Sequence, residues 1–413
     1  PSRRRDGPAS VAGVTPPSVH PPGPPLIERG VVRRTARAAL VRVDAAFSRK
    51  GPAFKQLALS WSSNVAGDTL VAVALADTLF FSAPSADARN KVALYLLLTL
   101  APFAIVAPVF GVVFRRFPRA YRALLTSGAT LRAVLAAIMA FGLNTLWLFP
   151  LAFGMLVLSR LYGISKASML PVALPQPVAL VAANALLARF GIYAGLLAGG
   201  IGVGLARVHS VLPLVAAAVV FLFSAFCSLG LPAPSRAAQA DEVEPVLPPA
   251  TLAQHQRSLR LSRLATAVVR LLNGFLLALL AFEFKNAGGA LDFSALIAAG
   301  GIGFGLASVL SPWLERHMRE EPMVVAALAL EAAAAFVSAQ FFSLGAAAGL
   351  AAAAGLAWGT AKFGFDGLLQ SVVQPAKRGG AFTRAETLFQ LAWVVGAVLP
   401  VGISIPAEIG LAV

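Results

Sequence analysis

Apolar residues run along this chain in blocks of about twenty, separated by short polar clusters rich in arginine. A helix of that length rises about 30 Å, the thickness of a bilayer's hydrocarbon core. Blocks at 56–82, 91–113, 121–142, 145–171, 178–206, 210–232, 263–284, 292–313, 322–343, 345–371 and 383–403 are predicted to be membrane-crossing helices. They are rich in Ala and Leu and do not alternate, whereas a barrel needs alternating strands of about ten residues. The predicted fold class is therefore an all-α polytopic membrane protein.

Two polar stretches divide the chain. Residues 1–54 are expected to form a disordered basic cytoplasmic tail, with an amphipathic helix over 28–50 lying on the inner leaflet. Residues 233–262 read as a cytoplasmic linker. Between them, 55–232 forms an N-terminal six-helix bundle, and 263–413 a C-terminal bundle of five spans. Two parallel-repeat bundles of six would place a twelfth span beyond Val413, and the natural chain is expected to continue.

Composition agrees with the pattern. Of 413 residues, 58% are hydrophobic and 13% charged, which excludes an ordinary soluble enzyme and a disordered chain. The net charge of +16 could signal nucleic acid, but the basic residues sit between apolar blocks. Arg115, Arg116, Arg119, Arg122, Arg236, Arg257, Arg260, Arg316, Arg319, Lys377 and Arg378 fall on one side of the predicted topology. Arg89, Lys91, Arg207 and Lys285 fall on the other. The positive-inside rule then puts the N-terminus in the cytoplasm of a multi-pass inner (plasma) membrane protein. The lone cysteine, Cys227, rules out an internal disulfide.

Local motifs point to a family. Residues 101–122, APFAIVAPVFGVVFRRFPRAYR, resemble the cytoplasmic loop signature G-x-L-x-D-R-x-G-R-R of the major facilitator superfamily through Gly111, Arg116 and Arg119. Arg115 stands where the family has its aspartate, and Pro118 where it has a second glycine. The run Gly191, Gly195, Gly199 and Gly200 resembles the exporters' G-x-x-x-G-P-x-x-G-G signature, with Leu196 in place of proline. Its glycines share a helix face and invite a close neighbour, and the span 8 run Gly300, Gly301, Gly303 and Gly305 is the expected partner. Asn64, Gly67 and Asp68 in span 1, the stretch after span 4 and the end of span 11 resemble the enterobactin-exporter-like branch. The resemblance implies a secondary transporter with a central cavity lined by spans 1, 4, 7 and 10, and export.

Charged residues inside spans carry the candidate chemistry, because each costs about 2.5–3.5 kcal/mol at mid-span unless it is paired or wetted. Asp68 lies twelve residues into span 1, roughly 18 Å along the helix. Ser60, Asn64 and Asp68 form a polar stripe on one face. Asp68 is the candidate proton carrier, with a structural ion pair to Arg132 or Arg160 as the alternative. Arg160 occupies the arginine of the family's R-x-x-Q-G-x-G-A signature and would tune that proton site. Spans 4 and 10 share G-x-x-K, Gly163 to Lys166 and Gly359 to Lys362, which would set two ammonium groups on opposite walls of one cavity. Lys362 can instead pair with Asp366, one turn on. Asn64, Lys166, Arg270, Asn273, Lys362 and Asp366 are the candidate substrate-binding residues. Arg189 and Glu386 are expected to pair with helix ends or loops, the resemblance implies that Glu331 of span 9 faces outward, and Asp77 and Glu283 are expected at the membrane interface.

No phosphate-binding loop, nucleophile elbow or metal-ligand spacing of histidines is present, so neither enzyme chemistry nor a cofactor is expected. The tail lacks the aromatic interleaving of a nucleic-acid binder. The expected partners are a small-molecule or lipid substrate, protons, and membrane lipids through the tail. The expected function is proton-coupled export of an amphipathic molecule, an anionic one included, such as a siderophore, drug or lipid. A lipid or lysolipid flippase on the same fold and a non-transporting membrane scaffold are the alternatives.

Overall fold

A computed structural model of the chain describes residues 50–75, 109–110, 112–114, 116–117, 120–142, 147–175, 179–233, 249–287, 290–341 and 343–402. The readings of the tail, of most of span 2 and of Asp77 lie outside the described residues, as do Gly111, Arg115 and Arg119. The helices are α1 (Pro52–Leu75), α2 (Tyr121–Phe141), α3 (Leu148–Ala173), α4 (Leu180–Val208), α5 (Leu212–Leu229), α6 (Pro249–Ala287), α7 (Ala290–His317), α8 (Glu320–Gln340), α9 (Leu344–Val372) and α10 (Pro375–Gly402). No strand occurs among the described residues, and seven of their helices are long and apolar enough to cross a membrane. In hydrocarbon a backbone must satisfy its own polar groups, and helices do so within one segment.

The helices follow the predicted apolar blocks closely. Two starts move: α6 begins at Pro249, well inside the stretch read as linker, and α10 begins at Pro375, ahead of the predicted start at 383. Polarity marks where a span can end in the membrane, but it does not stop a helix. The segment LAQHQRSLRLSRL is made of good helix formers behind an N-terminal proline.

α1 to α5 form one half and α6 to α10 the other, and their packing repeats. α1 lies along α4 as α6 lies along α10, and α2 lies along α3 as α8 lies along α9. Absent side chains set these close approaches. A Cβ at Gly191 on α4 would come within 2.9 Å of Trp61 Nε1 on α1. In the second half, Gly396 on α10 lies against the Leu271 carbonyl of α6, and Gly303 on α7 against the Ala352 carbonyl of α9. Without a hydrophobic driving force in lipid, such close backbone packing carries much of the helix association.

The glycines of spans 5 and 8 are therefore not each other's partners. Gly191, Gly195 and Gly199 face Trp61, Val65 and Thr69 of α1, while Gly300, Gly303 and Gly355 join α7 to α9. Gly200 faces open space. Periodicity marks a close-packing face but does not identify the helix across from it.

Gly396→Val should drive a side chain into the Leu271 carbonyl and cost about 1–3 kcal/mol, the usual range for overpacking. Gly204→Val, at a position with nothing within contact range of an added Cβ, should leave stability nearly unchanged. Thermal unfolding of the two purified variants checks the contrast, and equal melting temperatures would refute it.

Candidate functional site

The polar stripe on α1 faces the interior of its own half. The Ser60 hydroxyl lies 2.5 Å from that of Tyr162 on α3 and 2.6 Å from that of Ser228 on α5. One turn on, Asn64 accepts a hydrogen bond from Arg132 Nη1 at 2.6 Å, and Arg132 Nη2 pairs with Asp68. Arg132 also donates from Nε to the Met155 sulfur at 3.3 Å and stacks 4.2 Å from the centre of the Phe221 ring. Its side chain has 0% exposure, against 38% for Asp68. Of the two pairings read from sequence for Asp68, the structure holds the one with Arg132. Asn64, expected to bind substrate, gives its Oδ1 to the same guanidinium, and its Nδ2 has no hydrogen-bond partner among the described residues.

Between the halves lies a cavity of ≈ 340 Å³. α1 contributes Trp61, α3 contributes Arg160 and Lys166, α9 contributes Trp358, Lys362 and Asp366, and α10 contributes Glu386. Lys166 and Lys362 thus share one cavity, as the repeated G-x-x-K suggested. Their states differ. Lys362 is held between Asp366 at 2.5 Å and Glu386 at 2.7 Å, so its charge is neutralised locally. Lys166 sits 4.4 Å from the centre of the Trp61 ring and has no carboxylate partner among the described residues. An ammonium on an aromatic face remains available to an anion. Ser159 also lines the cavity and donates to Asp68 Oδ2 at 3.2 Å, linking the cavity wall to the buried ion pair.

Arg270 and Asn273 on α6 do not line this cavity. Arg270 stacks on Trp358 at 4.5 Å and Trp393 at 5.6 Å from the ring centres. Asn273 donates to Glu331 Oε1 at 2.9 Å. Glu331 was expected to face outward, yet its exposure is 0% and its Oε2 has no hydrogen-bond partner. A second cavity, ≈ 430 Å³, lies among α6, α7 and α9 and shares Phe304 and Trp358 with the first.

At one end the halves are sealed. Glu315 on α7 accepts the backbone N–H groups of Val181 (3.1 Å) and Ala182 (2.9 Å), orphan donors in the first turn of α4. Half-buried Lys50, ahead of α1, lies in the field of Glu315, which opposes the downward pull of burial on its ammonium. Gln370 on α9 bonds Asn184 on α4 at 2.7 Å and the Ala167 carbonyl of α3 at 2.7 Å. The Tyr121 hydroxyl donates to the Pro375 carbonyl at 2.7 Å and accepts from Gly379 N–H at 3.2 Å. Arg189 donates to the Ser308 carbonyl at 2.5 Å, so it bridges the halves within α4 and α7 instead of capping a helix end. Apart from the Arg189 bond, these contacts lie at the end where α2, α4 and α10 begin. α1 and α6 make no substantial contact.

Glu386, expected to pair with a helix end or loop, instead lines the central cavity and pairs with Lys362. Arg116 is exposed, and no latch contact is described for it. Glu315 and Gln370 gave no sequence signal, because a cap or clamp across halves leaves no spacing in the chain. Trp61 and Trp358 each stand one position from a residue that was read, Ser60 and Gly359, and single aromatics in apolar runs do not stand out.

No family model matches the sequence. The chain is 36% identical over 232 residues to an uncharacterized protein of Mycobacterium tuberculosis, an alignment covering 53% of this chain and 41% of the relative. It is 38% identical over 152 residues to an uncharacterized protein of Mycobacterium leprae, covering 35% and 26%. The chain thus spans well under half the length of the curated relatives it matches. Three solved structures share the fold. The human organic anion transporter MFSD10 (TETRAN) superposes with a TM-score of 0.62 at 17% identity, over 87% of this chain and 95% of that one. A bacterial homologue of the iron transporter ferroportin, outward-facing, gives 0.62 at 15% identity, over 87% and 96%. The major facilitator superfamily transporter FucP, in the outward conformation, gives 0.61 at 16% identity, over 87% and 95%. The chain is a multi-pass membrane protein with the major facilitator fold.

Removing one member of the Asp68–Arg132 pair should have unequal effects. Asp68→Ala strands a fully buried guanidinium and should cost about 3–5 kcal/mol. Arg132→Met leaves a carboxylate that water can reach, and should cost less. Melting temperatures of both variants give the order, and the reverse order would show that Asp68 is not the compensating charge.

Proposed function

We propose that the chain is a secondary active transporter that exports an amphipathic organic anion in exchange for protons. The observation that carries this reading is Lys166: an ammonium on the wall of the inter-half cavity, seated on Trp61 and without a carboxylate partner among the described residues. Arg160 adds a second positive group to the same wall. Lys362 contributes less, because Asp366 and Glu386 already neutralise it.

The coupling follows from the link between cavity and ion pair. Asp68 is half open to water and one hydrogen bond, through Ser159, from the cavity wall. A proton on Asp68 weakens its hold on Arg132, which joins α1 to α2. Loss of that proton restores the hold. The two halves would then rock about the midplane site, as in transporters built from repeats. With the N-terminus in the cytoplasm, the sealed end is cytoplasmic and the cavity faces outward, the state in which an exporter releases substrate. Two of the fold neighbours are outward-facing structures, which supports this assignment of state.

Inverted membrane vesicles with a respiratory ΔpH test the reading. A catecholate siderophore, a lysophospholipid or an alkyl carboxylate is added, and collapse of ΔpH is followed. Collapse is expected with the wild type and should disappear in Asp68→Asn. Lys166→Ala should raise the half-saturating concentration about tenfold, the loss for one charge-assisted contact. If none of these anions collapses ΔpH in the wild type, proton-coupled export of this class is wrong.

A further inference from the structure

We infer that the second cavity is the seat of the substrate's apolar tail, so the transported molecule is a single-chain amphiphile whose anionic head binds at Lys166. This rests on the organic-anion reading above and extends it.

The two cavities have opposite chemistry. The central one carries Arg160, Lys166, Lys362, Asp366 and Glu386. The second, ≈ 430 Å³, has no charged side chain among the described residues of its lining. Among those residues the hydrogen-bonding side chains are the Trp358 indole and Asn273, whose amide is already held by Glu331 and backbone carbonyls. An apolar pocket of this size accepts apolar guests.

The walls connect the two. Phe304 and Trp358 belong to both cavities, so one molecule can lie across these rings with its charge on one side and its chain on the other. Trp358 is held from behind by Arg270, which keeps the boundary fixed. The second cavity also borders Leu277, 42% exposed, and Ile297, 55% exposed, so it reaches the outer surface of the bundle. A chain could therefore enter or leave there while its head stays in the polar cavity. Gly301 lines this cavity, and an added Cβ there would meet nothing within contact range. A larger side chain at 301 would start from a Cβ that strikes nothing and would take up part of the cavity's volume.

Two photoprobes test the inference in nanodiscs: alkyl carboxylates of about six and about twelve carbons, each with a diazirine at the far end of the chain. Crosslinks are mapped by mass spectrometry. The longer probe is expected to label Leu276, Leu280 or Leu296 in the wild type. Labelling should fall about tenfold in Lys166→Ala, which removes the head contact, and equally in Gly301→Leu, which fills the tail space. Gly301→Ala, with monodisperse elution as a folding check, should label nearly as the wild type does. The shorter probe should label the central cavity. Equal labelling of the second cavity in wild type and Lys166→Ala would mean that an ordinary bilayer chain sits there, and would overturn the inference. Labelling of the central cavity by both probes, with none in the second, would overturn the tail seat and leave the organic-anion reading standing. Labelling of neither cavity would overturn both.

Discussion

A guanidinium with no exposed surface, placed in the middle of an apolar bundle, constrains everything around it. Arg132 cannot lose its charge and cannot reach water, so it must be compensated inside the protein. Asp68 and Asn64 come from α1, Met155 from α3 and the face of Phe221 from α5. Each helix of that core is thereby fixed in rotation relative to α2. Gly67 lies under the Phe221 ring, where a Cβ would come within 2.5 Å, so the ring stacks on the guanidinium only because α1 has no side chain at that point. One buried charge thus sets the register of four helices and leaves Asp68 as the partly exposed member of the pair.

The second half meets the same constraint differently. Arg270 is stacked between Trp358 and Trp393, and Glu331 lies buried nearby with Asn273 bonded to its carboxyl. Lys362 is shared by Asp366 and Glu386 on two helices. The fold repeats, but the charge pattern does not. That asymmetry gives the cavity a wall with an available ammonium facing a wall with a neutralised one. The seal at one end is built from polar bonds to backbone groups, such as Glu315 on the first turn of α4, which can break and re-form as the halves move.

Much of the architecture was legible along the chain. Block length located the helices, and the repeated G-x-x-K brought Lys166 and Lys362 to one cavity before any coordinates. The i, i+4 spacing anticipated the Lys362–Asp366 pair but not the sharing of Lys362 with Glu386, twenty-four positions away in sequence and on the next helix. The glycine runs announced close packing without naming the partners. Glu331 was read as outward from the architecture of the family the chain resembles, whereas it lies buried against Asn273 of α6, a contact between helices that no local pattern announces.

The sequence by itself determined that this chain crosses a membrane as helices, where most of those helices lie, and which ionisable groups fall within them. Those properties follow from the length and polarity of local segments. Only the tertiary structure decided which helix faces which, that Asn64 serves Arg132, that Glu315 and Gln370 hold the halves together, and that a charged and an apolar cavity share two aromatic walls. Those outcomes depend on the rotation of each helix about its axis, set by contacts between residues far apart in the chain, of which no local pattern keeps a record.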